Sequence, residues 1–345
     1  MIQRNILSIW KTFKSSNILI SRACHLQKIE ELSEKELQEF IDDSLIKPDK
    51  SLIEPGGATV EDEIAPFIKP TFNLAAYANK SHTLKQFLDL GVDLHKIEKR
   101  KGLGQFVLQL EFDKHVKDHL LFLKDVGVSP DIFGEFITKN PLIFKENIDD
   151  LQTRVNYLQS KTFTSEMIVR IIEKNPFWLM FSTKRIDRRL GFFQKTFLLN
   201  GNEVRFLSSK QPRLITYNVD HVRKSYFVVK EEMGFEKEET KSLVLAKPRL
   251  FMMNHDSLLN RFEYVHHTMK LPHETILKSP EVLTTRLFKL KERHEFLHKL
   301  RRDQYDPKKP LYVSLYSLVT ASDKEFIENI AKSCTEEYEK FLKTL

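Results

Sequence analysis

Residues 165–193 read SEMIVRIIEKNPFWLMFSTKRIDRRLGFF and contain the pattern that decides the fold. A helix-forming stretch runs up to Pro176, and the proline ring prevents a helix from continuing through that point. The apolar pair Trp178 and Leu179 follows at once. Three further apolar residues then recur at intervals of four and three, as on one face of an α-helix: Ile186, Leu190 and Phe193. The stretch therefore predicts a helix, a turn long enough for one turn of 3₁₀ helix, and a longer amphipathic helix.

This pattern recurs along the chain with a period of about 36 residues. Five prolines occupy equivalent points: Pro141, Pro176, Pro212, Pro248 and Pro280. In each repeat the second and third residues after the proline are apolar, and the tenth, fourteenth and seventeenth form a stripe in which His294 is the clear polar exception. Pro70 and Phe106 extend the register towards the N-terminus. We therefore predict an all-α superhelical solenoid of about seven repeats.

The N-terminal part of the chain has a different composition. Residues 1–28 contain five basic residues and no acidic one, and their apolar residues can share one helical face, which predicts a mitochondrial transit peptide. The alternative is a basic tail without a targeting role. Residues 29–65 carry twelve acidic residues against three lysines, with two prolines and two glycines, and we predict an acidic flexible linker there.

The remaining chain, residues 66–345, has a net charge of +11, which favours a polyanionic partner. Residues 66–304 hold the predicted solenoid, and residues 305–345 are predicted to form the terminal cap that stacked repeats need. Within this cap we predict a helix over residues 322–345. Three apolar residues lie on one face of that helix: Phe326, Ile330 and Phe341.

Several classes of function lack their residues in this sequence. No stretch of 18 apolar residues is present, so we predict no membrane span. Cys24 and Cys334 are too few for a disulfide framework or a zinc cluster. His294 and His298 lie one helical turn apart, but no third metal ligand is spaced to join them. Since a phosphate-binding glycine loop and a nucleophile elbow are also missing, we predict neither enzyme activity nor a cofactor or metal.

One helical position, thirteen residues after the proline, is arginine in four of the five clear repeats: Arg154, Arg189, Arg261 and Arg293. The position borders the apolar stripe, so stacked repeats would align these arginines in a row that can follow a phosphate backbone. We predict that other basic residues join the same nucleic-acid-binding surface: Arg185, Arg188, Arg213, Arg223, Lys224, Arg249, Arg286 and Lys289. A second interpretation stays open, in which each arginine buries its stem and pairs within the protein.

Two other recurring groups favour structural roles. A lysine stands shortly before each proline, at the end of the predicted first helix, where the helix dipole favours a cation: Lys139, Lys174, Lys210, Lys247 and Lys278. Four aromatic residues are candidates for stacking on exposed bases: Trp178, Phe181, Phe192 and Phe193. Because an aromatic residue at a core position of a helix normally belongs to the core, we expect packing there and not stacking.

The proline motifs also resemble a known family. They read KNPLIF (139–144), KNPFWLMF (174–181), KQPRLIT (210–216), AKPRLFM (246–252) and KSPEVLTTR (278–286). In repeats of about 35 residues behind a transit peptide, these motifs resemble the mitochondrial transcription termination factor (mTERF) family. Three C-terminal stretches resemble one animal subgroup of that family: TRLFKLKERHEFL (285–297), QYDPKKPLYVSL (304–315) and YEKFLKTL (338–345).

The resemblance implies a half-doughnut superhelix with two α-helices and a short 3₁₀ helix per repeat, and a basic concave face that takes nucleic acid. For the subgroup it implies a place in the mitochondrial matrix with the nucleoid, binding to the promoter region of mitochondrial DNA, and repression of transcription initiation. It also implies a role in biogenesis of the large ribosomal subunit through the large rRNA. An RNA methyltransferase or a protein of the transcription machinery is the implied protein partner, and we expect a monomer.

Other functions compete with that of a DNA-binding regulator. A ribosome-assembly factor would hold structured RNA in the same groove, and a helical scaffold would bind only proteins. A pentatricopeptide-type reader of single-stranded RNA has a similar period. The proline stop and the unequal helix lengths disfavour this last class. The sequence leaves open whether DNA or RNA is the primary ligand.

Overall fold

The computed structural model describes residues 74–344, and most of these residues are helical. Within this range, β structure is limited to one isolated bridge between Gln304 and Tyr312. The prediction of an all-α fold is therefore confirmed. The predicted transit peptide, the predicted acidic linker and Pro70 lie outside the described residues. No helix in the described range is both long and apolar enough to cross a bilayer.

The described residues divide into two compact units, with the division after Asp187. The described α-helices of the first unit are α1 (Leu74–Ala78), α2 (His82–Asp89), α3 (Leu94–Glu98), α4 (Leu103–Leu108), α5 (Lys117–Val126), α6 (Phe133–Lys139), α7 (Ile148–Ser160) and α8 (Ser165–Lys174). Short 3₁₀ helices cover Pro130–Ile132, Pro141–Lys145 and Pro176–Met180, and a π-helix covers Phe112–Val116. Helix α9 (Thr183–Phe197) crosses the division.

The described α-helices of the second unit are α10 (Gly201–Lys210), α11 (Pro212–Thr216), α12 (Val219–Phe227), α13 (Lys237–Ala246), α14 (His255–Glu263), α15 (His273–Lys278), α16 (Glu281–Thr284), α17 (Leu287–Lys299), α18 (Leu315–Thr320), α19 (Asp323–Glu325) and α20 (Thr335–Leu342). A 3₁₀ helix covers Pro248–Met252. Three π-helical segments cover Val228–Glu232, Tyr264–Thr268 and Phe326–Ala331.

The turn at each proline has the predicted form. The residue before the proline is extended, with φ between −135° and −140° at Asn140, Asn175, Gln211, Lys247 and Ser279. This conformation follows from the proline, whose ring excludes the α region for the residue before it. A single helical turn comes next, and it is 3₁₀ in three repeats and α in the other two. The helix, turn and longer helix predicted for each repeat are therefore present.

The apolar positions of the repeat form the core. All the predicted residues of the second-helix stripe are buried except Tyr226, which is half-buried. His294, the polar exception, is also buried. Trp178, Phe181 and Phe193 lie in the core as well, as expected for aromatic residues at these positions. The repeat pattern therefore correctly predicts which face of the second helix is packed in each repeat.

A second recurring feature is the left-handed residue that ends the longer helix of each repeat. Seven residues with positive φ stand 31 to 36 residues apart: Gly91, Gly127, Thr162, Leu198, Gly234, Lys270 and Arg301. The N–H of the next residue donates a hydrogen bond to a carbonyl in the helix. Val128 donates to the Leu123 carbonyl (3.0 Å), and Phe163 donates to the Leu158 carbonyl (3.1 Å). This is the hydrogen bond of a Schellman C-cap. Seven equivalent caps support the prediction of about seven repeats.

The C-terminal segment departs from prediction at one point. The helix expected over residues 322–345 is interrupted, because Lys332 adopts φ 50° and ends the segment Phe326–Ala331. Helix α20 (Thr335–Leu342) then starts separately. Phe326 and Phe341 are buried as predicted, and Ile330 is half-buried. A left-handed lysine has no sequence signal comparable to glycine, which explains the miss.

Candidate nucleic-acid interface

The arginine thirteen residues after Pro141 contacts the following proline turn within the first unit. Arg154 donates a hydrogen bond to the backbone carbonyl of Leu179, the third residue after Pro176. It also forms an ion pair with Glu146 at 2.6 Å, and its side chain is 16% exposed. Because the guanidinium is engaged by a carbonyl and a carboxylate, Arg154 ties α7 to the turn that follows α8.

Two equivalent arginines in the second unit make the same kind of contact. Arg189, only 5% exposed, donates to the carbonyl of Ile215 (3.1 Å) and also to that of Tyr217. Arg293, 1% exposed, donates to the carbonyl of Leu318 (2.6 Å) and pairs with Asp323 (2.6 Å). These carbonyls lie 25 to 28 residues ahead of the arginine, at the end of a short helical turn. In this structure the position is a structural tie.

The repeat that lacks an arginine replaces it with two smaller groups. The Ser225 hydroxyl is 3.2 Å from the carbonyl of Phe251, the third residue after Pro248. His221 Nε2 is 3.0 Å from the carbonyl of Met253, the fifth residue after that proline. Arg189 donates to the carbonyls of the third and fifth residues after Pro212. Ser225 and His221 together contact the same two positions after Pro248, in place of one guanidinium.

Arg261 is the exception among the four arginines. Its Nε and Nη1 atoms are buried and have no hydrogen-bond partner among the described residues. Its Nη1 therefore lacks the carbonyl acceptor that Nη1 of Arg154, Arg189 and Arg293 has. Burial lowers the pKa of Arg261 from its ordinary value.

A second set of cations caps the C-terminus of the first helix in a following repeat. Arg100 donates to the carbonyl of Lys139 (2.7 Å), and Lys210 Nζ donates to the carbonyls of Leu245 (2.7 Å) and Ala246 (2.9 Å). Arg302 donates to the carbonyl of Ala331. A cation is favourable there because the last carbonyls of a helix lack intrahelical partners. Lys210 thus acts on the dipole of a following helix, whereas the sequence suggested an action on its own.

The remaining predicted site residues differ in exposure. Six are exposed, all in the second unit: Arg188, Arg213, Arg223, Lys224, Arg249 and Arg286. Arg185 is buried, with its guanidinium 4.6 Å from the centre of the Phe181 ring. Lys289 is half-buried near the Ala321 carbonyl (3.5 Å), and burial lowers its pKa. The exposed set can reach a ligand without breaking a contact in the core.

Two helices of the second unit bring part of this exposed set together. The Arg223 guanidinium lies 5.4 Å from the centre of the Phe192 ring and pairs with Asp220 at 2.9 Å. Arg188 precedes Phe192 by one helical turn, so both lie on the same face of α9. The exposed cations of α9 and α12 therefore share one surface.

Four of the exposed cations keep their full charge available. In the described part of the chain, no carboxylate lies within ion-pair distance (4.0 Å) of Arg188, Lys224, Arg249 or Arg286. Flexible cations in water make contacts with phosphate oxygens that position a nucleic acid without reading its sequence. Each of the two interpretations of the basic residues thus applies to a different set. Most of the recurring arginines form contacts within the protein, and the exposed cations are available to a ligand.

Both histidines of the pair have hydrogen-bond partners within the chain. His294 Nδ1 lies 2.8 Å from the Tyr305 hydroxyl, and His298 Nδ1 lies 2.8 Å from Asp303. The described residues contain no group of three histidine, cysteine or acidic side chains placed to hold a metal ion. Burial lowers the pKa of His294, as expected for a neutral histidine in a core.

Comparison with known proteins assigns the chain to a family. A model of the mTERF family matches residues 78–327. The chain is 58% identical over 275 residues to Transcription termination factor 3, mitochondrial, of Drosophila melanogaster, covering 80% of this chain and 78% of that protein. It is 43% identical over 336 residues to the Mus musculus protein of the same name, covering 97% and 81%. Similarity to Transcription termination factor 1, mitochondrial, of Homo sapiens is lower, at 25% over 189 residues, covering 52% of this chain and 47% of that protein. The proline-framed repeats, their geometry and these similarities lead to one conclusion: the chain belongs to the mTERF family.

Proposed function

We propose that this protein is a non-enzymatic, nucleic-acid-binding regulator of mitochondrial gene expression. One observation carries the proposal most directly. The exposed cations Arg188, Lys224, Arg249 and Arg286 have no carboxylate partner in the described residues, within a body of net charge +11. Exposed, unpaired cations on a basic body create a field that attracts a polyanion and contacts its phosphates.

The repeat also places exposed cations at regular intervals along the chain. Arg213 and Arg249 each directly follow a proline and stand 36 residues apart, and both are exposed. Repeated placement of a cation at one point of a helical repeat suits a ligand that itself repeats, such as a phosphate backbone. Arg154, Arg189 and Arg293 hold the turns in place, and we assign them a positioning role.

The proposal also names a ligand and a compartment. We infer that the protein acts in the mitochondrial matrix with the nucleoid, binds the promoter region of mitochondrial DNA and represses initiation of transcription. We further infer a role in biogenesis of the large ribosomal subunit through the large rRNA. The names of its Drosophila and mouse relatives, both mitochondrial transcription termination factors, support a role in mitochondrial transcription. The nucleoid, the promoter, repression of initiation and the ribosomal role depend on the resemblance to the animal subgroup. We further propose that the protein is a monomer, with an RNA methyltransferase or a transcription protein as partner.

A salt titration tests the binding itself. The full chain is mixed with labelled duplex DNA of the mitochondrial promoter region and with large rRNA fragments, and affinity is measured over a range of salt concentrations. On duplex DNA we expect a linear fall of log K with log salt, with a slope of about −0.9 per phosphate contacted. Absence of salt-sensitive binding to either nucleic acid would leave the protein scaffold as the better function.

Crosslinking in mitochondria followed by sequencing separates DNA from RNA. Reads concentrated at the promoter region support the regulator, and reads at both sites support the double role. Reads confined to the large rRNA would contradict promoter repression and favour the ribosome-assembly function alone. The protein scaffold predicts no enriched reads at all.

A further inference from the structure

The C-terminal cap exposes a cluster of large apolar side chains. Leu311, Tyr312 and Tyr316 lie within six residues and are 66%, 46% and 54% exposed. The end of a solenoid has no further repeat to cover it, so a terminal cap is expected to present a polar outer face. Apolar side chains grouped at this place are therefore a sign of a binding surface.

A half-open groove of about 340 Å³ includes two of these three residues in its lining. Leu311 and Tyr312 line it from the loop before α18, and Asn329 and Ile330 line it from the segment Phe326–Ala331. Arg302 spans the two sides, because it lines the groove and donates to the Ala331 carbonyl. The groove is therefore held by contacts within the cap and does not depend on a ligand to form.

The backbone at the groove is strained. Leu311 has φ 61° and Lys332 has φ 50°, values that residues other than glycine rarely adopt. Lys332 ends a helix, which is a common use of this conformation. Leu311 ends no helix, and its strained backbone accompanies the most exposed large apolar side chain of the described chain. Strain of this kind is concentrated at binding sites.

The charges at the groove have one sign. Arg302 and Lys332 are its charged lining residues, and no aspartate or glutamate lines it in the described structure. A ligand that complements this surface carries negative charge beside an apolar group.

We propose that this C-terminal groove binds an acidic, apolar-anchored segment of a partner protein. Tyr312 offers a ring on which a base can stack, but the most exposed side chain, Leu311, is aliphatic and is suited to contact with an apolar side chain. A protein segment therefore fits the groove better than a nucleic acid. Tyrosine and arginine are also the residues enriched in the centre of protein interfaces. The site is separate from the cations assigned to nucleic acid above.

Fluorescence anisotropy with the full chain tests this proposal. The probe is a short labelled peptide of aspartate and glutamate around a leucine and a phenylalanine. Comparison probes carry lysine in place of the acidic residues, or serine in place of the apolar ones, and a short oligothymidylate represents nucleic acid. We expect saturable binding of the acidic apolar peptide and binding weaker by about tenfold or more for both comparison peptides.

Variants locate the binding on the chain. Leu311→Ser with Tyr312→Ser, and separately Lys332→Glu, should each weaken binding of the acidic peptide by about tenfold. Leu121→Ser serves as the matched control, since Leu121 is 49% exposed on α5, and it should leave binding unchanged. Circular dichroism checks that each variant is folded, and the lysine variant changes no apolar packing. The proposal is overturned if binding of the acidic peptide does not saturate or if the lysine peptide binds with equal affinity. It is also overturned if the groove variants weaken binding of the oligothymidylate and not of the acidic peptide.

Discussion

Replacing Arg189 by alanine removes the tie between α9 and the turn after Pro212. The guanidinium is 5% exposed and donates to the carbonyls of Ile215 (3.1 Å) and Tyr217. A hydrogen bond from a charged group contributes about 1.5–3 kcal/mol, and its loss leaves a buried carbonyl without a partner. We therefore expect Arg189→Ala to lower the free energy of unfolding by about 3–5 kcal/mol. Arg189→Lys keeps the charge but not the planar fork, so its loss should be intermediate.

Chemical denaturation of the full chain, followed by circular dichroism, measures this effect. The neighbouring Arg188 supplies a matched control, because it lies on the same helix but is exposed. Arg188→Ala should change stability by no more than about 0.5 kcal/mol. The reasoning is refuted if Arg189→Ala costs less than about 1 kcal/mol, or if both variants destabilise the protein equally.

Three further predictions concern other parts of the chain. A Cβ built at Gly134 would lie 2.3 Å from the Leu90 carbonyl oxygen, so Gly134→Ala should lower the free energy of unfolding by about 2 kcal/mol or more. An unchanged denaturation midpoint would contradict this close approach. Lys270 has φ 56° and is exposed, so Lys270→Gly should raise stability by up to about 1 kcal/mol, and a loss would count against the left-handed cap. Burial lowers the pKa of His294 below its ordinary 6.5, so the neutral form is favoured in the folded state; stability from this residue is present above pH 6.5 and is lost as pH falls below it. His294→Gln should therefore show a weaker fall in thermal stability than the wild type between neutral and mildly acidic pH, and identical pH profiles would contradict it.

The sequence predicted the helices and the core because both depend on the repeat. A proline excludes the helix at a known point, and a stripe at intervals of four and three can pack on one face only. The extended residue before each proline and the buried pair after it, such as Trp178 and Leu179, follow from these two rules. Recurrence over five repeats made each rule visible.

The partners of the recurring arginines were beyond prediction. Arg189 binds backbone carbonyls 26 and 28 residues ahead, and every residue has a carbonyl, so no side-chain pattern marks the acceptor. The missing acceptor of Arg261 has no sequence signal in the repeat length either. Its repeat spans 32 residues, from Pro248 to Pro280, but the next one spans only 30, to Pro310, and Arg293 there does bind a carbonyl.

The left-handed caps have only a partial signal in the sequence. Gly91 and Gly127 stand 36 residues apart and suggest equivalent bends. Thr162, Leu198 and Lys270 occupy the same backbone position without being glycine, so the continuation of the pattern depended on the structure. The cap is imposed by the packing of the repeat, because a β-branched or long side chain does not favour this conformation by itself.

The most direct test of the account is the salt dependence of nucleic-acid binding by a triple variant, Arg188→Gln with Lys224→Gln and Arg249→Gln. These three cations are exposed and have no carboxylate within 4.0 Å in the described structure, so the variant should fold normally. Lys278→Gln is the control, because Lys278 is 71% exposed but already paired with Glu274 at 2.7 Å. We predict that the triple variant flattens the slope of log K against log salt by up to about 2.7 units on duplex DNA, and that the control leaves it unchanged. An unchanged slope in a folded triple variant would contradict the assignment of the exposed cations to the nucleic-acid interface.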